Sequence, residues 1–86
     1  MDNNEQGDRK ENAIQNFGWA LAQLKMGQSV QREGWNGKDQ FLTLQTPDEN
    51  SKMTLPYIFI TTVQGDLVPW LASQTDMLAN DWVSME

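Results

Sequence analysis

The chain has 86 residues with a formal net charge of −6, from 12 acidic and 6 basic side chains, and it contains no Cys and no His. That length makes one domain the expectation, and the missing residue types exclude disulfides and the usual zinc and iron sites. The acidic surplus, with basic residues scattered along the chain, excludes polymeric nucleic acid as a partner, because duplex binding draws its affinity from clustered Lys and Arg.

A domain this small buries only about 60% of the surface its unfolded chain exposes, which makes oligomerisation the expected source of extra stability. No apolar run approaches the ~20 residues that span a bilayer, so no membrane association is expected. The absence of Cys suits a reducing cytoplasm. Four tryptophans, Trp19, Trp35, Trp70 and Trp82, are many for one small core. Indole rings concentrate at interfaces and in ligand pockets, where a flat face and one donor are both useful.

Residues 1–15 read as a polar, acidic, disordered tail with no secretory signal. Residues 16–86 form the expected single ligand-binding domain. Asn16 suits a helix N-cap. Phe17, Ala20, Leu21 and Leu24 then recur at helical spacing, and Gly27 supplies a left-handed stop. Trp19 falls off this stripe, roughly opposite Phe17 at 100° per residue. It reads either as a scattered surface aromatic or as a contact between protomers.

Ser29–Arg32 is a short strand candidate. Gly34-Trp35-Asn36-Gly37-Lys38 is a turn. Phe41–Gln45 alternates as a strand, and 46–54 is a polar loop opened by Pro47. Tyr57–Val63, rich in β-branched and aromatic residues, is expected to be central in the sheet. Gln64-Gly65-Asp66 turns the chain into a short returning strand at Leu67 and Val68, which Pro69 ends or places at an edge. Ser73 caps a short helix with Asp76 at its third position, and Trp82–Met85 is a last strand. The order of elements predicts an α+β fold: a small, mainly antiparallel sheet with an N-terminal helix and a short C-terminal helix.

For catalysis, only Asp66, Asp76 and Asp81 offer a carboxylate pairing of interest. A turn, a helix cap and a helix end explain them better, so no catalytic residue, cofactor or metal site is expected. Two segments can bind a flat, polar ligand. In Trp35-Asn36-Gly37 the indole can stack on a base, Asn36 can donate and accept, and Gly37 admits a ligand to the backbone. The same residues also suit a plain turn whose Trp covers a core edge. In Pro69–Asp76, Trp70 precedes a helix start whose free N–H groups favour an anion, with Ser73, Gln74 and Thr75 beside it. A capped helix with a buried Trp explains that segment equally simply, and Asp76 opposes a phosphate there.

Taken together, these residues carry a resemblance. Phe17-Gly18, Gly34-Trp35-Asn36-Gly37-Lys38, Pro47-Asp48, Lys52-Met53, Pro56-Tyr57 and the run from Val68 to Trp82 resemble a family of small phage proteins, the Thoeris anti-defence proteins of the second type. The likeness covers about residues 16–85. It implies a molecular sponge rather than an enzyme. Such a protein sequesters a cyclic ADP-ribose-type immune signal (glycocyclic ADP-ribose) intact, in some members also cyclic dinucleotides, in recesses of a homotetramer in the infected cell's cytoplasm. On the matching positions it implies aromatic contacts from Trp35 and Trp70. Asn36, Gln74 and Asp76 would read ribose or base edges, with Gly37, Ser73 and Thr75 in the same motifs. Arg32 or Lys52 would meet the pyrophosphate. The long acidic tail and Trp19 depart from the family pattern and bear on the outer surface and assembly contacts. The competing reading, from the −6 charge and Trp19, is an acidic oligomer that blocks a host enzyme by direct contact.

Overall fold

A computed structural model describes residues 15–35 and 39–85. Helix α1, Phe17–Lys25, starts where the Asn16 side chain accepts the Trp19 N–H at 2.9 Å. It stops where Gly27 turns to φ 89°, a backbone state L side chains avoid. Ala20 and Leu24 are fully buried, while Phe17 and Leu21 flank them half-buried. Trp19 is also half-buried and packs against the core edge, so the helix uses more than its narrow stripe.

Five strands follow the expected alternation: β1 Ser29–Arg32, β2 Phe41–Gln45, β3 Tyr57–Thr61, β4 Leu67–Pro69 and β5 Trp82–Met85. They form one antiparallel sheet in the order β4-β3-β2-β1-β5. The fold is α+β as expected. The middle strand, however, is β2 and not β3, because β5 docks outside β1 and extends the sheet on that side. The β3 strand also ends two residues early. Thr62 leaves the ladder to close the hairpin turn, with its N–H on the Asp66 carbonyl at 2.8 Å and its Oγ1 accepting the Asp66 N–H at 3.0 Å.

The register gives the sheet two distinct faces. Even-numbered strand residues point to one side, where α1 lies: Val30, Leu42 and Trp82 are fully buried there with Ala20 and Leu24, and Leu44, Ile58 and Ile60 pack around them. Odd-numbered strand residues, among them Phe41, Thr43, Phe59 and Val83, point to the other side and are absent from that core cluster. Residues 70–81 carry the chain from the β4 edge to the β5 edge over the α1 side, including a single-turn helix α2, Gln74–Met77. That crossing brings the functional candidates together. Among the described residues no helix is long and apolar enough to cross a membrane.

Candidate functional site

The crossing lays Asp76 and Asp81 over the end of β1, where Arg32 emerges on the core side. The Arg32 Nε donates to Asp81 Oδ1 at 2.8 Å and its Nη1 to Asp76 Oδ1 at 2.9 Å. The turn after β1 is pinned to the same carboxylate, with the Gly34 N–H on Asp81 Oδ2 at 2.9 Å. A Cβ at Gly34 would stand 3.0 Å from that oxygen, so a side chain there would require the carboxylate to shift by a few tenths of an ångström. The Glu33 N–H reaches the Asp81 carbonyl at 2.9 Å.

Asp76 is the second anchor. Its Oδ1 also accepts the Trp35 Nε1–H at 3.3 Å, and its Oδ2 accepts the Ser73 hydroxyl at 3.0 Å. Its own N–H is capped by Ser73 Oγ at 3.1 Å, and its carbonyl accepts the Trp82 indole at 3.1 Å. One short helix is thereby tied to β1, to the following turn and to β5. Burial is the largest influence on the Asp76 carboxyl and pushes its pKa up, but bonds from Arg32, Ser73 and Trp35 with the guanidinium charge outweigh it and hold the group below its ordinary 3.8. Asp81 is held below 3.8 chiefly by its Arg32 bond, against burial and with help from the Gly34 N–H. The Arg32 pKa is raised by its bonds to Asp81 and Asp76. The guanidinium therefore faces two ionised carboxylates.

Behind this network lies an aromatic cluster with Trp82 as its hub. Trp82 is fully buried and meets Trp35 edge-on at 5.5 Å and Trp70 edge-on at 6.2 Å, with Phe17 tilted at 5.6 Å. Edge-to-face contacts at these distances are favourable ring geometries. Trp35 and Trp70 are only half-buried, so each keeps part of its surface accessible. Beyond Trp70 an apolar groove of about 540 Å³ opens, walled by residues 53–58 on one side and by Pro69 and Trp70 on the other.

The structure thus brings Arg32, Trp35, Ser73 and Asp76 into one network and links Trp70 to it through Trp82. Gln74 and Thr75 lie exposed on the same short helix. Lys52 is exposed beside Met53 at the groove and is not part of the network. Asn36 and Gly37 lie outside the described residues. Arg32 commits two of its five N–H donors to the two carboxylates, at 2.8 and 2.9 Å. Sequence reasoning passed over Asp81 as a partner, Trp82 as the hub and the 53–58 wall. The Asp81-Trp82 pair was visible in the sequence, but nothing local ties it to Arg32.

Comparison with known proteins agrees with the residue pattern. The Thoeris anti-defense 2-like domain family matches residues 15–85. A relative, Thoeris anti-defense 2 of Bacillus phage SP01, is 40% identical over 79 residues, spanning 77% of this chain and 89% of the relative. With most of its length matched by one family and by a relative at that identity, the chain belongs to the Thoeris anti-defense 2-like family.

Proposed function

We propose that the protein is a phage anti-defence sponge, which binds a cyclic ADP-ribose-type immune signal, such as glycocyclic ADP-ribose, and withholds it unchanged. Its place of action is the cytoplasm of the infected bacterial cell, as a homotetramer without a cofactor. Cyclic dinucleotides are a second ligand class to test. The observation that carries the reading is the groove beside Trp70. At about 540 Å³ it falls within the ~300–1,000 Å³ usual for small-molecule sites. It presents the Trp70 and Tyr57 rings to a ligand, with Lys52 next to the wall. Trp35, Asn36, Gly37, Ser73, Gln74 and Thr75 are the further contacts in this proposal. Arg32 and Asp76 serve as the frame that positions them.

Asp76 and Asp81 are held ionised against Arg32 and are engaged in the bonds that fasten the crossing to the sheet, which suits a framing role.

Titration calorimetry of the purified protein against cyclic ADP-ribose isomers and cyclic dinucleotides, with linear ADP-ribose as control, tests the proposal. The expected result is saturable binding of at least one cyclic compound. Chromatography after heat denaturation should then return that compound intact. A silent titration with every compound sinks the sponge reading and favours direct inhibition of a host protein. Loss of the compound with appearance of a product would make the protein an enzyme.

A further inference from the structure

Two indoles converge on one residue. The Trp35 Nε1–H donates to Asp76 Oδ1 at 3.3 Å, and the Trp82 Nε1–H donates to the Asp76 carbonyl at 3.1 Å. The rings also meet each other, edge-on at 5.5 Å with 76° between their planes. They differ in exposure, Trp82 being fully buried and Trp35 half-buried. A buried indole N–H needs an acceptor in any fold. A half-exposed one can be satisfied by water, so the internal acceptor of Trp35 calls for a reason of its own.

The surroundings hold Trp35 from several sides. Its backbone N–H closes a turn on the Arg32 carbonyl at 3.2 Å. The residue before it, Gly34, is bonded to Asp81 Oδ2 at 2.9 Å. The indole N–H then reaches the same Asp76 oxygen that Arg32 Nη1 holds at 2.9 Å, while the Ser73 hydroxyl occupies the other oxygen at 3.0 Å. Arg32, Trp35 and Ser73 together fix the plane of the Asp76 carboxylate, so the acceptor is in place before any ligand arrives. At 3.3 Å the indole bond is long, as expected of the second donor on a shared oxygen, but the acceptor is ionised, which strengthens it.

We infer that Asp76 is a positioning residue for Trp35: its carboxylate takes up the indole N–H, so the ring is held in one orientation and meets a ligand with its surface and not with its donor. Contact at Trp35 is then stacking, which every flat ring can satisfy. Selection among flat-ringed ligands falls to other residues. That Trp35 meets a ligand at all rests on the proposed function; that Asp76 holds its indole does not.

The test is hydrogen exchange of the indole protons, followed in nitrogen-15 NMR spectra of the full chain, where each tryptophan gives one indole signal. In wild type the Trp35 proton should exchange at least ~10-fold more slowly than in the urea-unfolded chain, and Asp76→Ala should speed it roughly tenfold, the effect of one bond to a charged group. Asp76→Asn keeps an oxygen for Arg32 and Trp35 and should stay within about threefold of wild type. Trp82 is the internal control, because its acceptor is backbone and survives both substitutions. A role in anchoring the crossing and nothing more would release both indoles together. Equal acceleration of Trp35 and Trp82, an Asn variant as fast as the Ala variant, or a native Trp35 proton as fast as in urea overturns the inference. The last comparison uses wild type alone and decides the matter if the Ala variant does not fold.

For a cyclic compound that binds in calorimetry, Trp35→Phe keeps a ring without a donor and should hold affinity within about threefold, whereas Trp35→Ala should lose on the order of tenfold or more with the stack. A Phe variant as weak as the Ala variant would mean that the N–H reads the ligand, which also overturns the inference. A titration silent with every compound sinks the sponge reading alone, since exchange is measured without ligand.

Discussion

Arg32→Ala should be the most damaging single change at the polar network. The substitution removes two charge-assisted bonds, at 2.8 and 2.9 Å, each worth about 1.5–3 kcal/mol when well formed. It does not strand the carboxylates entirely. Asp76 keeps Trp35 Nε1 and Ser73 Oγ, and Asp81 keeps the Gly34 N–H. Their side chains are 16% and 31% exposed, so water can compensate in part, and Asp81 more than Asp76. The ~3–5 kcal/mol of a fully buried broken pair must therefore be discounted, to about 2–3 kcal/mol here. With a shift of about 4–8 °C per kcal/mol for a domain of this size, the melting temperature should fall by roughly 10–20 °C. Thermal unfolding followed by tryptophan fluorescence is the suitable assay, because Trp35 and Trp82 both bond to Asp76. A drop below about 5 °C is what an ordinary surface ion pair produces, and it would refute the argument that this network fastens the crossing to the sheet. A double-mutant cycle with Asp81→Asn should return a coupling of about 1 kcal/mol or more, as for residues in direct contact.

The other predictions use the same structure. Both carboxylates have folded pKa values below the ordinary 3.8. Their contribution should be complete above about pH 5 and disappear as pH falls through the folded values. Acid titration of wild type should therefore destabilise the fold below about pH 4, and Arg32→Ala should flatten that acid limb. Trp70→Ala removes a groove wall and a ring touching Trp82 and Phe17. Ligand affinity by calorimetry should fall at least ~10-fold, with Trp70→Phe recovering part of it. Wild-type affinity in Trp70→Ala would misplace the site. Gly27→Ala meets no atom within 4 Å but must hold φ 89°. Chemical denaturation should therefore register a loss of about 1 kcal/mol from backbone strain alone.

Part of the candidate site was legible from the residues. Trp35, Trp70, Ser73 and Asp76 drew attention through side-chain chemistry and local spacing, and three of the four share one network with Arg32. The assignment of roles was not legible. Arg32 as a free cation and Arg32 as the partner of Asp76 and Asp81 are the same letter in a sequence. The separations of 44 and 49 residues leave no local trace of the pairing. The groove was missed for a similar reason: its 53–58 wall joins the end of the 46–54 loop to the start of the Tyr57 strand, and nothing local marks it as a wall until Trp70 closes the other side.

What the amino-acid sequence alone determined was local. The Asn16 and Ser73 caps, the Gly27 stop, the Gly65 turn at φ 93° and the five alternating strands all lie where nearby backbone sterics and side-chain-to-backbone bonds put them. Tertiary structure decided the rest: that β5 returns to lie beyond β1, and that the crossing runs over the α1 side. Those outcomes depend on which sheet edge accepts the last strand. The β4 edge carries Pro69, which has no N–H to donate, and the β1 edge gains from the long-range packing of Trp82 and the closure of Asp76 and Asp81 on Arg32.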